Sequence, residues 1–287
     1  MNNLRLDKLP QGFPFIRDYK ELLKSNLFLE METFSNAFGR NHIKDLSGYS
    51  WTPDSLHQWS RMWEYPFSYS YIRQFLCVNN IMNVSQRTSI LDAGSGCTFF
   101  PYYVNYKYPN SVIYCCDYDS SLALIFKRIN KKRSTNITFA CYDIANMQYK
   151  DNSFDVIYCI SVLEHTHDYD RIIEEFKRVL KPKGLLIITF DISLDGNAPI
   201  SEDIAKDLLE KLGKLFKPEN QRSSPQVLTE LHSSDILTTQ FIKTFNKKLL
   251  PWKLTWRLFL SQLSNLRSPS VPFHNLTIFC GVWREIL

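Results

Sequence analysis

From Ser89 to Val104 the chain reads SILDAGSGCTFFPYYV. A strand-forming apolar run leads to Asp92, then to Gly94 and Gly96 separated by one residue, with Thr98 where a third glycine would be expected. Glycine turns of this kind bring the backbone close to a ligand, and phosphates, dinucleotides and sulfonium nucleosides are all held by them. A phosphate loop is excluded, because no Gly-Lys-Ser/Thr follows the glycines. The nicotinamide reading has one point in its favour: Asp117 lies 21 residues beyond Gly96, near the spacing at which an acid holds a ribose. Against it, the GxGxxG pattern is broken by Phe99, and Asp92 stands directly before the turn. A negative charge there repels a pyrophosphate. It suits a ligand bearing an ammonium and a sulfonium.

The elements that must position these residues alternate between strand and helix. SVIYCCD (Ser111 to Asp117), NITFACYD, SFDVIYCI and LLIITF read as the strands that follow SILDAG. A helix near Pro101 to Tyr108 tolerates proline in its first turn. Ser120 to Arg133 is a second helix, opened by serines that could cap it. Between Asp168 and Leu180, Ile172, Ile173, Phe176, Val179 and Leu180 recur at helical spacing, with Glu174 and Arg178 paired at i,i+4 on the other face. KPKG then stops that helix, Pro182 being unable to continue it and Gly184 allowing the turn. Strands buried on both faces and separated by helices predict right-handed βαβ units, hence an α/β fold with a doubly wound, mostly parallel sheet. Ligands of such sheets collect outside the carboxyl ends of the strands. Asp92, Asp117, Asp143, His165 and Asp191 all fall at such ends. Scattered structural acids would not choose those positions.

Composition sets the outer limits. The 287 residues are 44% hydrophobic and 14% aromatic, enough for a sizeable core and unlike a disordered chain. A net charge of +5 is mild, whereas a dedicated nucleic-acid binder concentrates its basic residues on one face. The densest basic cluster, KRINKKR from Lys127 to Arg133, reads as the solvated end of a helix, a phosphate-facing role being the alternative. Seven cysteines without CxxC spacing, several inside apolar runs, suggest neither a disulfide framework nor a zinc site, and so a reducing, cytoplasmic setting. The N-terminus lacks the apolar stretch of a signal peptide. The longest segment free of Asp, Glu, Lys and Arg, Ser268 to Trp283, contains two prolines and is not expected to span a membrane.

Residues 1–85 are expected to form a helical, aromatic-rich N-terminal extension or lid, and residues 86–287 the nucleoside-binding domain with helical insertions and a closing strand near its end. DSLHQWSRMWEYPFSYSYIRQFL (Asp54 to Leu76) places Trp59 and Trp63 four residues apart. Ser201 to Phe216 is amphipathic, with Ile204, Leu208, Leu212 and Leu215 on one stripe. Trp252 to Leu266 carries Trp252, Trp256, Phe259, Leu260 and Leu263 at helical spacing, and HNLTIFCGVWRE reads as the closing strand.

LDAGSG, CCDYD, CYDIANMQYKDNSFDVIYCISVLEH and EEFKRVLKPKGLLIITF follow one another in order and at proper spacing. On these motifs, between Thr88 and Asp191, the sequence resembles the class I (Rossmann-like) S-adenosylmethionine-dependent methyltransferases. That family usually shows a third glycine, a place held here by Thr98. The resemblance implies a seven-stranded sheet and S-adenosylmethionine as cofactor, with S-adenosylhomocysteine as product. Gly94 and Gly96 would let the backbone turn beside the methionine moiety, and Asp92 would steady that loop and the ligand's amino group. Asp117 would accept both ribose hydroxyls and Tyr118 would pack against adenine. Asp143 would accept from the adenine amino group, and the Ile144 amide would meet a ring nitrogen. Ile160 and Ser161 would line the sulfonium and the transferring methyl.

The acceptor is less sharply defined. A hydroxyl acceptor must lose its proton, and His165 in VLEHTHD is the preferred general base, with a loop-shaping role as the alternative. Asp191 could orient or deprotonate the acceptor, or cap the following turn. His167 reads as acceptor-binding or as plain surface. Two histidines at i,i+2 without a third ligand do not make a metal site. The Asn/Asp-Pro-Pro-Tyr turn of amino-methylating nucleic-acid enzymes and the cysteine of pyrimidine C5 enzymes are both missing, which favours a small-molecule acceptor. Trp59, Trp63, Glu64 and Tyr65 offer aromatic faces and one carboxylate to a sugar ring or polyketide-like body, or else pack the extension onto the sheet. WSRMWEYPF, LDAGSGCTFFP and TFDISLDG together are similar to bacterial methyltransferases of polysaccharide or secondary-metabolite pathways. O-methylation of such a metabolite is therefore the first expectation. N-methylation of a small amine or peptide, RNA methylation, and binding of the nucleoside without transfer are the others.

Overall fold

The computed structural model describes residues 8–47, 49, 54–78, 87–252 and 273–286. Strands β1 (Ser89–Ala93), β2 (Val112–Asp117), β3 (Thr138–Cys141), β4 (Phe154–Ile160), β5 (Leu180–Ser193), β6 (Phe216–Pro218) and β7 (Leu276–Glu285) form one sheet in the order β3-β2-β1-β4-β5-β7-β6. β1 to β5 are mutually parallel; β7 runs antiparallel beside β5, and the short β6, which the apolar pattern does not announce, is antiparallel to β7. The sheet is thus mixed, with a parallel majority. Chain order reverses at β1, so the carboxyl ends of β1 and β4 flank the crevice in which such sheets bind ligands.

Alternation along the strands divides the core in two. Ile90, Val156, Tyr158, Ile187 and Cys280 face a layer built by α1 (Ile16–Leu22), α2 (Asn26–His42), α3 (Arg61–Val78), α4 (Phe100–Lys107) and α5 (Leu122–Arg133). Leu91, Ile157, Leu186, Ile188 and Phe279 face α6 (Tyr169–Val179) and α7 (Glu202–Leu215). The aromatic-rich N-terminal helices therefore share one hydrophobic layer with the sheet. Gly12 also exchanges both backbone hydrogen bonds with Cys280 of β7, at 2.7 and 3.0 Å. Helix α8 (Thr239–Asn246) packs near β7, and the helix expected from Trp252 to Leu266 lies, beyond Trp252, outside the described residues.

Several local expectations are corrected. Arg178 pairs with Glu175 and Asp151, while Glu174 meets Lys211 instead. The serines before α5 make no side-chain cap; Asp119 Oδ1 accepts the Ser121 N–H at 2.9 Å. After α6 the left-handed residue is Lys183, and Gly184 serves close packing, since a Cβ there would lie 2.7 Å from the Lys181 carbonyl oxygen. On α7 the buried stripe is Ala205, Leu208, Leu209 and Leu212, a rotation that leaves Ile204 and Leu215 half-buried.

The basic end of α5 is likewise not simply solvated. Lys132 Nζ reaches both Asp45 carboxylate oxygens at 2.7 and 2.8 Å, Arg128 donates to the Asp45 carbonyl at 2.8 Å, and Arg133 lies over the rings of Phe34, Phe38 and Tyr102. Asp45 itself is 5% exposed. Burial pushes its carboxyl up, but Lys132 and His42 outweigh burial and hold it below the ordinary range. This clamp fixes the chain a few residues before Tyr49, which meets the glycine turn. Asp45→Ala is expected to lower stability by about 1–3 kcal/mol, because it strips the buried His42 ring of its partner; Lys132→Met should cost less than about 1 kcal/mol, its ammonium being half exposed. Denaturant unfolding of the two variants checks the order.

Candidate active site

A cavity of about 290 Å³ opens at the carboxyl edge of the sheet. Its floor is the turn after β1. Gly94 and Gly96 have φ of 74° and 50°, and the Gly94 and Ser95 amides both donate to the Cys116 carbonyl at 2.9 Å, tying the turn to β2. Side chains are excluded by contact as well as by conformation: a Cβ on Gly94 would stand 2.6 Å from both Val162 methyl carbons, and one on Gly96 would run into the Tyr49 hydroxyl. Thr98, in the third glycine's place, lines the cavity and accepts the Phe100 N–H at 3.3 Å, opening α4.

Of the residues expected to bind the nucleoside, Asp92, Gly94, Gly96, Asp117, Tyr118, Ile160 and Ser161 all line this cavity. Asp92 is 5% exposed. Burial drives its carboxyl well above the ordinary range, the Tyr158 hydroxyl works against that shift, and the Asp117 charge adds to it. Asp117 accepts the Gly96 N–H at 2.9 Å and the Asp119 N–H at 3.1 Å, so the acid that ends β2 also shapes the turn after β1. Tyr118 is 85% exposed, so its ring is not part of the core. Asp143 and Ile144 are not brought to the cavity wall. Asp143 accepts the Ala145 N–H at 2.9 Å in a local turn, and Ile144 is packed in the core on the far face of the sheet.

The acceptor side is rearranged more. His165 ends a short 3₁₀ turn, Leu163–His165, and lines the cavity. Burial and the Arg61 charge both lower its pKa from the ordinary value. His167 instead belongs to a separate surface depression beside Asp168 and Lys211. Tyr65 lines the cavity and stacks on Phe100 at 4.9 Å. Trp59 and Trp63 are 2% and 0% exposed, and neither these two nor Glu64 lines the cavity: the indoles pack the extension onto the sheet. Asp191 also stands behind the cavity wall.

What the sequence patterns did not pick out is Arg61. Its side chain lines the cavity and pairs with Glu64, Nη1 to Oε2 at 2.6 Å. An i,i+3 Arg–Glu pair at the start of a helix was the available signal, hidden among the aromatics around it. Glu64 Oε1 accepts from Ser161 Oγ at 2.6 Å and Thr189 Oγ1 at 2.5 Å. Glu164 and Asp191 complete the cluster, each with one buried carboxyl oxygen lacking a hydrogen-bond partner among the described residues. Burial pushes Glu164 up to about 7, against the pull of Arg61 and helped by Glu64; burial, Glu164 and Glu64 drive Asp191 well above its ordinary range.

Comparisons with known proteins bear on the same part of the chain. Residues 91–188 match the sequence model of a methyltransferase domain. An uncharacterized protein of Methanocaldococcus jannaschii is 34% identical over 118 residues, 41% of this chain and 46% of that protein. Norajmaline N-methyltransferase of Rauvolfia serpentina is 30% identical over 136 residues, 44% of this chain and 46% of that enzyme. The chain thus spans less than half the length of these curated relatives. Among solved structures, the O-methyltransferase from the trans-AT PKS multienzyme of Brevibacillus brevis, in complex with S-adenosyl-L-homocysteine, aligns over 75% of this chain and 71% of its own at 17% identity, with a TM-score of 0.46. Among the described residues no helix is long and apolar enough to cross a membrane, and no His, Cys, Asp or Glu cluster is arranged to hold a metal.

Glu164 makes the cluster's stability depend on pH. Its folded pKa, about 7, lies above the unfolded value of about 4.3, so its favourable contribution is complete below the unfolded value and is lost as pH rises through 7. Glu164→Gln should therefore gain on the wild type by about 1–3 kcal/mol between pH 4.5 and 8. Parallel stability–pH curves for the two proteins would refute the assignment.

Proposed function

With residues 91–188 forming a methyltransferase domain on the class I fold, we propose that this protein is an S-adenosylmethionine-dependent methyltransferase acting on a hydroxyl of a small molecule such as a sugar, glycan precursor or secondary metabolite. The observation that supports this most directly is the convergence of Asp92, Gly94, Gly96, Asp117, Ile160, Ser161 and His165, drawn from the ends of β1, β2 and β4, on one cavity.

The residues fit the cofactor chemically. A buried carboxyl that resists ionisation, as Asp92 does, is a site that a cation can charge, and S-adenosylmethionine brings an ammonium and a sulfonium. Asp117 keeps lone pairs for ribose hydroxyls beyond the two amides it already accepts, and the exposed Tyr118 ring at the cavity edge offers a face to adenine. When bound, the cofactor supplies a methyl group on an activated sulfonium carbon and leaves as S-adenosylhomocysteine. The protein's own work is alignment and proton removal. His165 is suited to the second task. Its lowered pKa keeps the imidazole neutral at pH 7, able to take a proton from an acceptor hydroxyl held between the turn after β4 and the start of α3. Asp191, the second candidate, is pushed well above its ordinary range by burial and its acidic neighbours and does not line the cavity, which suits a supporting member of the cluster better than a base. Ser55, Gln58, Arg61 and Tyr65 place several hydrogen-bonding groups and one ring along the acceptor side, a lining suited to a polyhydroxylated molecule.

N-methylation of a small amine is the second reading, favoured by the likeness to norajmaline N-methyltransferase. An acceptor panel with S-adenosylmethionine, the methyl followed by mass spectrometry, separates the two. Uptake of the cofactor with no product from any acceptor would leave a binding protein.

Asp117→Ala should weaken S-adenosylmethionine binding by about 1–3 kcal/mol, measured by calorimetry; unchanged affinity would remove the ribose assignment. His165→Ala should leave that affinity intact and lower turnover about 10²–10⁴-fold. A loss below about tenfold would demote the imidazole to a loop-shaping part.

A further inference from the structure

Four residues other than glycine have positive φ among the described residues: Ser134, Asn152, Ser161 and Lys183. Three of them are exposed; only Ser161, at φ 46°, is buried. A left-handed L-residue is strained, so a buried one persists only where its surroundings hold it. The Ser161 amide donates to the Thr189 carbonyl at 3.0 Å and to Thr189 Oγ1 at 3.2 Å. Its hydroxyl donates to Glu64 Oε1 at 2.6 Å. The same carboxylate oxygen takes the Thr189 hydroxyl, and the other takes Arg61.

The next residue, Val162, carries the constraint across the cavity. Its methyl carbons occupy the space that a Cβ at Gly94 would need, so the turn after β4 and the glycine turn after β1 interlock without slack. A Ser161 that relaxed towards ordinary φ would swing Val162 against or away from the glycine turn, altering the wall between them. Glu64 comes from neither turn. It reaches both from α3, fully buried, and is the acceptor that meets the Ser161 hydroxyl.

We propose that Glu64 is a positioning residue of the cofactor site: its buried carboxylate holds Ser161 in the left-handed conformation and so fixes, through Val162 and Gly94, the wall beside the reacting end of the cofactor. The inference rests on the cavity being an S-adenosylmethionine site. It makes α3 part of the cofactor wall as well as a cover for the acceptor.

The test is a cycle of variants read by calorimetric titration with S-adenosylhomocysteine, with thermal unfolding run alongside to confirm folding. E64A should bind about 10–100-fold more weakly than wild type. In the S161G background, where the backbone adopts positive φ unaided, the same E64A replacement should cost less than about threefold. S161A, which loses the hydroxyl but keeps the Cβ, should bind more weakly than S161G. If E64A does not fold, E64Q takes its place in the cycle; its amide keeps the volume but sets an N–H₂ against Arg61, and a smaller loss that shrinks again with S161G is expected. Equal losses in the two backgrounds, or no loss in either, would overturn the positioning role while leaving the cofactor reading intact. A wild-type protein that takes up no S-adenosylhomocysteine would overturn both.

Discussion

A carboxylate with no access to water must be met by donors, and at Glu64 this requirement organises the molecule. The donors come from three places: Arg61 one turn earlier on α3, Thr189 in the middle of the sheet, and Ser161 in the turn that leaves β4. Helix α3 therefore cannot slide or roll on the sheet without leaving a buried charge unmet, a far larger cost than any single apolar contact along its length. The aromatic side chains around it fill space, but apolar packing is non-directional and would tolerate a shifted register. The ion pair supplies the register. What the N-terminal helices contribute to the cavity, Arg61 and Tyr65 directly and Tyr49 through its hydroxyl on the Cys97 amide, is placed relative to that anchor.

The cavity walls differ in electrical character. Asp92, Asp117 and Asp119 gather at the ends of β1 and β2, where the sheet supplies few backbone donors of its own. Arg61 is the one Lys or Arg among the described lining residues, and it stands with His165 and Ser161 on the other side of the cavity. A ligand that is positive near the first wall and carries neutral hydrogen-bonding groups near the second meets complementary chemistry on both.

Much of this was legible along the chain, and the boundary of what was legible has a physical cause. Strand ends and the glycine turn are local: two-residue alternation, a change to helical spacing and a pair of glycines locate Asp92, Gly94, Gly96, Asp117 and Ser161 without knowledge of partners. The rotation of α3 is different. Thirteen of its 18 residues are buried, so the helix has no polar face to orient it, and nothing in WSRMWEYPF says which aromatic meets the cavity and which the sheet. Tyr65 goes to the cavity while Trp59 and Trp63 go to the core, an outcome settled by the Glu64 contacts with residues about 100 and 125 positions away. The partner of Lys132, in the exposed basic run at the end of α5, is hidden for the same reason, since Asp45 lies 87 residues before it. Asp143 shows the converse. It stands near a strand end as expected, yet its carboxylate accepts from the amide two residues on, as short acids in turns commonly do, and it does not line the cavity.

The cluster behind the acceptor side contains one guanidinium and three carboxyl groups. In a buried site three ionised acids around one cation would leave net negative charge with no solvent to absorb it, and protonation relieves that. The Arg61–Glu64 pair is electrically neutral by itself, so further charge must be refused by Glu164 and Asp191, which is the direction in which both are driven. The two titrate together with their neighbours rather than as isolated acids. The consequence reaches the cavity. At His165, burial and the positive charge of Arg61 both disfavour the imidazolium. The guanidinium that meets Glu64 behind the wall therefore also bears on the imidazole in front of it, in the direction of its uncharged form.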